Sequence, residues 1–194
     1  MSLMRLSEFK YLVRSDLYRY GGRIGTAIFL KNFMFTPGFK HSFWMRATAY
    51  MNRHRFFRYG LYRLPYFIFM HYTYKYGIDI PHTTQIGSGF YIGHFGGITI
   101  HEKSIIGKNC NVSHGVTLGQ ANRGKRKGHP TIGDSVYIGP GAKIVGKVRV
   151  GNNAAIGANC VVTGDVPDNA VVVGIPGKVI SLEGSQGYVE FTDY

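Results

Sequence analysis

The hydrophobic positions of the chain follow a period of six residues between Ile86 and Val162. An aliphatic residue opens each hexad, and glycine or another small residue follows it in most of them. The hexads open at Ile86, Ile92, Ile98, Ile106, Val112, Leu118, Ile132, Ile138, Ile144, Val150, Ile156 and Val162. A fixed hexapeptide period is typical of a parallel β-helix, in which each hexad forms one flat side and three sides close a coil. The pattern therefore predicts a mainly β fold of stacked coils.

The fifth residue of each hexad is a second inward-facing position. It is small or aliphatic at Cys110, Val116, Val136, Ala142, Val148, Ala154, Cys160 and Val166. Because both cysteines fall on inward positions, we expect two free, buried thiols rather than a disulfide or a metal pair. Unpaired thiols fit the reducing cytoplasm, where we expect the protein.

Two insertions interrupt the period. Ile98 and Ile106 are eight residues apart, which places two extra residues after Ile98. Leu118 and Ile132 are fourteen residues apart, and the segment between them contains the basic sequence GQANRGKRKGHPT. A long polar excursion from a stiff scaffold usually carries function. We therefore expect the protruding loop 119–131 to take part in binding.

Residues 1–77 differ from the repeat in composition. They hold 13 Lys and Arg against Glu8 and Asp16, a net charge of +11 out of +13 for the whole chain, and they hold 21 of the 28 aromatic residues. The aromatic and Arg spacing over Ser7–Tyr20 and His41–Tyr76 predicts amphipathic helices, with a break at Thr36-Pro37-Gly38. We expect two or three short helices packed on the first coil. The resulting division is a helical segment over 1–77, a β-helix over 78–180 and a tail over 181–194.

The basic, aromatic segment has two open functional interpretations. Its surface fits peripheral docking on the inner face of an anionic membrane. Its aromatics also suit a helical cap of a trimer, with a solvated basic face, and we favour this cap. The longest uncharged run, Leu64 to Tyr74, is 11 residues and too short for a bilayer span. Charges throughout Met1–Tyr20 argue against a signal peptide, and no sequence signature predicts nucleic-acid binding.

Histidines in and beside the repeat are the candidate chemistry. His94 and His114 each take the third position of a hexad, so we expect them at one corner of neighbouring coils. Asp79 precedes the first hexad and is expected to approach His94 from the coil above. A carboxylate beside an imidazole fixes its tautomer and supports the imidazolium, as a general base requires. His101 and His129 complete the set.

The segment from about Tyr76 to Ile180 resembles the serine acetyltransferases of the hexapeptide-repeat acyltransferase superfamily. The resemblance rests on DI-x5-IG-x-G, H-x-x-G-I, GVTLG, a basic loop ending in HP, IG-x-GAKI-x-G and VP-x4-VVGIPGK. It implies a left-handed β-helix, a homotrimer and acetyl-CoA in the groove between two subunits, with no metal. It further implies Asp79 and His94 as the catalytic pair and His129 as a substrate-binding histidine. The implied acetyl-CoA contacts lie at Gly119, Gly139, Ala158 and Lys178.

Two positions depart from that family's pattern. Gly93 precedes the catalytic histidine where the family usually has Asp, and Gly128 precedes His129 where it usually has Arg. An Arg there would hold a carboxylate in two hydrogen bonds. Other cations of the loop, above all Arg123 and Arg126, are expected to substitute for it in substrate binding.

The leading functional hypothesis is an acetyl-CoA-dependent O-acetyltransferase that converts L-serine to O-acetylserine for cysteine biosynthesis. The alternative acceptor is a sugar hydroxyl in capsular or exopolysaccharide biosynthesis, because both glycines leave a wider, less charged pocket. A zinc hydro-lyase is a second enzyme class, although the sequence lacks a closely spaced histidine pair. A non-enzymatic scaffold or membrane-binding module is the third reading.

Overall fold

A computed structural model describes residues 4–54 and 60–194 of the chain. Four helices precede the strands in these ranges: α1 (Leu6–Tyr18), α2 (Thr26–Phe35), α3 (Pro37–Arg53) and α4 (Arg63–Tyr76). Pro37 is the first residue of α3, as the predicted break requires, because proline fits the first helical turn. These four helices of the described ranges exceed the two or three expected. Within the predicted segment His41–Tyr76, residues 55–59 lie outside the described residues.

Fifteen short strands in the described ranges form the body of the molecule. They are β1 (Ile78–Asp79), β2 (Gln85–Ile86), β3 (Tyr91–Ile92), β4 (Ile98–Ile100), β5 (Ile105–Ile106), β6 (Asn111–Val112), β7 (Thr117–Gly119), β8 (Thr131–Ile132), β9 (Tyr137–Ile138), β10 (Lys143–Val145), β11 (Arg149–Val150), β12 (Ala155–Ile156), β13 (Val161–Val162), β14 (Val171–Val173) and β15 (Lys178–Ser181).

The strands form three parallel sheets that are the three sides of a β-helix. Sheet A has the order β1-β4-β7-β10-β13, sheet B the order β2-β5-β8-β11, and sheet C the order β3-β6-β9-β12-β14-β15. Only the last strand, β15, runs antiparallel to its neighbour within the described sheets. The predicted parallel β-helix is confirmed.

The core of the β-helix is built from the two inward positions of each hexad. All twelve residues that open the predicted hexads are buried, and so are the eight predicted fifth-position residues. Cys110 and Cys160 are both free and buried, as expected. Burial in this apolar interior raises the pKa of the Cys110 thiol to about 12, so the thiol stays protonated.

The first insertion lies before Ile98, not after it. Strand pairing aligns Ile100, rather than Ile98, with Leu118 of the next coil, while Ile98 pairs with Ile78. The predicted position of the two extra residues is therefore wrong. The error has a simple cause: Ile98 and Ile100 both point inward on one strand, so the aliphatic pattern alone does not distinguish them.

Buried polar contacts fasten the helices to the first coil. Asp16 on α1 accepts hydrogen bonds from the Arg46 guanidinium at 3.1 and 3.2 Å and from the Phe90 amide at 2.8 Å. Arg46 also donates to the Ile86 and Gly87 carbonyls, at 2.8 and 2.6 Å. These bonds fix α1 and α3 against the end of the coil.

The C-terminal tail returns along sheet C toward α1. Arg19 donates to the Glu190 carbonyl at 2.7 Å and to the Gly89 carbonyl at 2.8 Å, and so joins the tail to the first coil. The Tyr194 hydroxyl lies 2.8 Å from Ser88 Oγ and 2.9 Å from Asn109 Oδ1. The tail is thus held by specific contacts to its last residue.

Candidate active site

His94 lies on a bulge at the corner between sheets C and A. The Gly115 amide donates to the Gly96 carbonyl at 2.8 Å, and the Gly141 amide donates to the His114 carbonyl at 2.9 Å. Gly96 therefore takes the ladder position that His114 takes in the next coil, and the two inserted residues are His94 and Phe95. Bulges often re-aim a side chain beside an active site. Here the bulge carries His94 outward into solvent, where the residue is exposed.

The expected proximity of His94 and His114 is confirmed. Their ring centroids lie 5.9 Å apart at an angle of 78°. Asp79 pairs with Thr99 along sheet A and is exposed. No hydrogen bond joins Asp79 to His94 in the single chain, and a catalytic pair often closes only around its substrate.

Lys143 belongs to the same corner and was not foreseen. Its ammonium donates to the Gly115 carbonyl and, at 3.1 Å, to Thr117 Oγ1. Gly115 directly follows His114, so the lysine steadies the turn that carries that histidine. In the sequence, Lys143 is visible only as an outward-facing lysine of a hexad. Most lysines at such positions are solvent-exposed and have no structural or catalytic role.

A second histidine pair lies at the opposite corner of sheet A. The rings of His101 and His129 are stacked, with centroids 4.2 Å apart and an angle of 27°. The Lys103 amide donates to His101 Nδ1 at 3.1 Å, which makes this nitrogen an acceptor and places the proton of neutral His101 on Nε2. His129 Nδ1 is buried without a hydrogen-bond partner among the described residues. Desolvation, and then the charges of His101 and Lys103, lower the pKa of His129.

The loop 119–131 folds along the coil as a small hairpin. The backbones of Ala121 and Gly128 exchange two hydrogen bonds of 3.0 Å each, and the Lys147 amide donates to the Arg126 carbonyl at 2.8 Å. Gly128 has φ +139°, and a Cβ atom there would lie 3.2 Å from Lys147 Cβ. The position that is usually Arg in the resembled family is thus glycine for a local steric reason.

A groove of about 690 Å³ lies between this loop and sheet B. Its lining includes His129 and the cations Lys125, Arg126, Lys147 and Arg149, with Asp165 as the carboxylate. Arg126 donates to Asp165 at 2.9 Å and to the Lys147 carbonyl at 3.2 Å. The pKa of Asp165 is lowered by the Arg149 amide and then by Arg126. Arg126 is therefore already paired, whereas Arg123 is exposed and its side chain makes no hydrogen bond or ion pair with the described residues.

The four residues expected to contact acetyl-CoA lie at separate places on the coil. Gly139 and Ala158 follow β9 and β12 at the corner that carries His94, Gly119 ends β7 near His129, and Lys178 opens β15 at the surface. A Cβ at Gly139 would lie 2.8 Å from the Ile156 carbonyl oxygen, so coil stacking alone explains that glycine. At Gly119 the nearest atom would be 3.5 Å away, so packing does not require glycine there. The absence of a side chain at Gly119 leaves the backbone open to close approach by another molecule.

His94 and His129 are not brought together within one chain. They lie at opposite ends of the strands of sheet A. The four residue steps from Gly97 to His101 alone span about 13 Å, at ~3.3 Å per residue. Within residues 4–54 and 60–194, no group of three or more His, Cys, Asp or Glu residues could hold a metal ion.

Comparison with known proteins identifies the family. The family model "Bacterial transferase hexapeptide (six repeats)" matches residues 129–164. Serine acetyltransferase from Bacillus pumilus (strain SAFR-032) is 41% identical over 146 residues, which cover 75% of this chain and 65% of that protein. Serine acetyltransferase from Brucella abortus strain S19, in complex with coenzyme A, superposes with a TM-score of 0.75 at 28% identity over 91% of this chain and 69% of that chain. Neisseria gonorrhoeae serine acetyltransferase in complex with serine superposes with a TM-score of 0.73 at 31% identity, over 91% of this chain and 70% of that chain.

These likenesses confirm the resemblance inferred from the motifs. The chain belongs to the hexapeptide-repeat acyltransferase superfamily, with its left-handed parallel β-helix, and is a serine acetyltransferase-like member of it. It spans between 44% and 65% of the length of the curated serine acetyltransferases it matches.

Proposed function

We propose that the chain is an acetyl-CoA-dependent O-acetyltransferase of the serine O-acetyltransferase type. The observation that carries this proposal is the cationic groove beside His129. Lys125, Lys147 and Arg149 together offer a positive surface suited to the phosphates of coenzyme A, because Arg and Lys side chains bind phosphate groups in other proteins. A solved relative of the same fold is described as a complex with coenzyme A, which supports this assignment.

The proposed chemistry is direct acetyl transfer with His94 as the base. The acceptor oxygen attacks the thioester carbonyl carbon while His94 takes the hydroxyl proton. A C–O bond forms, the C–S bond then breaks, and the imidazolium returns the proton to the departing thiolate. Asp79 stabilises the imidazolium, and backbone amides of the coil stabilise the oxyanion.

A complete site of this kind needs two copies of the chain. Since His94 and His129 lie at opposite corners of sheet A, we propose a homotrimer in which His94 of one subunit faces the His129 loop of its neighbour. Light scattering should give three times the chain mass. Mixing His94→Ala with His129→Ala chains under exchange should restore part of the activity, because some interfaces then carry both histidines. A monomer at working concentration, or mixtures as inactive as their components, would contradict the shared site.

L-Serine is the leading acceptor, with O-acetylserine for cysteine synthesis as its product. The curated relatives are serine acetyltransferases, and one solved relative is described as a complex with serine. The carboxylate would bind the exposed Arg123, since Arg126 is engaged by Asp165. His129, with its Nδ1 buried, would present Nε2 to the acceptor.

A sugar hydroxyl is the second candidate, and the geometry of Gly128 favours it. With φ +139°, this position favours glycine and does not itself carry the cation that would pair with a carboxylate. A pocket that leaves a carboxylate unpaired loses kilocalories of binding rather than tenths. A neutral sugar carries no such requirement.

One experiment tests both candidates. We would measure kcat/KM for L-serine and for a panel of sugars and nucleotide sugars, with saturating acetyl-CoA and detection of released CoA. Serine turnover that falls on Arg123→Gln, but less on Lys127→Gln, supports the serine assignment. A sugar preferred over serine supports the second candidate. Absence of CoA release with every acceptor would contradict acetyl transfer.

A further inference from the structure

The helix α4 has apolar residues on two opposite faces. Its inner face buries Pro65, Phe69 and Thr73 against the rest of the protein. Its outer face leaves Leu64 65%, Phe67 67% and Tyr74 77% exposed. The spacing of these three residues puts them on one side of the helix. A helix on the surface of a monomeric soluble protein normally carries polar residues on its outer face. The exposed apolar residues of α4 therefore indicate an interaction surface.

The charge around this face has a single sign. The sequence of α4 contains no Asp or Glu, and Arg63 and Lys75 lie at its two ends. Residues 1–77 contain two acidic residues, and one of them, Asp16, is buried against Arg46. Whatever covers the outer face of α4 therefore meets a surface whose excess charge is positive.

We propose that the outer face of α4 docks on an anionic membrane surface. A second copy of the chain could also cover this face, but residues 1–77 carry a net charge of +11, so two such segments would repel each other. An anionic bilayer instead complements the charge and receives the apolar side chains below its headgroups. None of the helices within residues 4–54 and 60–194 has the length and hydrophobicity of a bilayer span, so docking is peripheral.

Vesicle co-sedimentation of the full chain tests the docking. One vesicle set is phosphatidylcholine alone, and the other is phosphatidylcholine mixed with phosphatidylglycerol. We expect binding to the mixed vesicles only, with loss of binding as salt is raised. The Leu64→Gln/Phe67→Gln double variant should lower the partition coefficient at least about tenfold, because two embedded apolar side chains are lost.

Leu182→Gln is the matched control. Leu182 in the tail is 66% exposed, nearly the same as Leu64, but lies outside the proposed face. It should bind vesicles like the unchanged chain. Equal binding by the double variant, or no binding to anionic vesicles, would overturn the proposal. So would a smaller oligomer of the double variant without lipid, because the face would then join copies of the chain.

Acetyl transfer to a soluble acceptor separates this inference from the proposed function. The double variant should keep the CoA release rate of the unchanged protein with a soluble acceptor, since neither residue belongs to the site. Vesicle binding without any CoA release would refute the proposed function and leave the docking intact. CoA release without vesicle binding would refute the docking and leave the proposed function intact.

Discussion

The His101 ring lies stacked on the His129 ring, with centroids 4.2 Å apart. His129 lines the cationic groove, and its Nδ1 is buried without a partner among the described residues. His101 is fixed in turn by the Lys103 amide. We therefore expect His101 to hold the His129 ring in place beside the groove.

Replacing His101 separates stacking from charge. His101→Ala should lower kcat/KM about tenfold, mainly through KM, because His129 loses its support. His101→Phe keeps an aromatic platform and should recover most of that loss. Since the charge of His101 helps to lower the pKa of His129, both variants should raise that pKa, as read from the His129 ring signals in an NMR titration. A purely structural role would leave the His129 titration unchanged.

His94 and Asp79 should differ in how much they contribute. His94→Ala should reduce kcat by roughly 10²–10⁴, the usual contribution of a general base. The fold should persist because His94 is exposed on a bulge. Asp79→Asn should be milder. His114→Ala, beside His94 at 5.9 Å, is the control variant and should keep most activity. Wild-type CoA release by the His94→Ala protein would refute the mechanism.

The buried pair of Asp16 and Arg46 should be important for stability. Asp16→Ala leaves the Arg46 guanidinium buried without its carboxylate, and we expect a loss of about 3–5 kcal/mol in the free energy of unfolding. Glu8→Ala, on the exposed side of the same helix, should change it by less than about 0.5 kcal/mol. Urea unfolding at a fixed chain concentration measures both, because subunit association affects apparent stability. Equal effects would contradict the assigned role.

His41 should make the helical segment acid-sensitive. Burial lowers the pKa of this histidine to about 3, from 6.5 in an unfolded chain. Between these values the unfolded chain binds one more proton than the folded one, so stability falls as the pH falls. The slope is about 1.4 kcal/mol per pH unit at most. Unfolding measured from pH 7 to pH 4 should show this loss, and His41→Gln should flatten it. An unchanged slope in the variant would assign the acid sensitivity to other groups.

Much of the coil could be predicted from the sequence, for a physical reason. Each hexad must place an aliphatic side chain inward at its first position and a small one at its fifth, so the period is visible without coordinates. The same periodicity located Cys110 and Cys160 in the core and His94 beside His114. The long basic loop was also visible, because it interrupts that period.

The tertiary structure decided what the period leaves ambiguous. Ile98 and Ile100 are both aliphatic and both inward, so only strand pairing shows that the insertion precedes them and forms the His94 bulge. The stacking of His101 on His129 joins residues 28 positions apart, and the pairing of Asp16 with Arg46 joins two helices. No local pattern encodes such contacts. The sequence thus determined the coil and its candidate histidines, because repeat packing is local, while the separation of His94 from His129 and the exposed face of α4 depend on how distant segments pack.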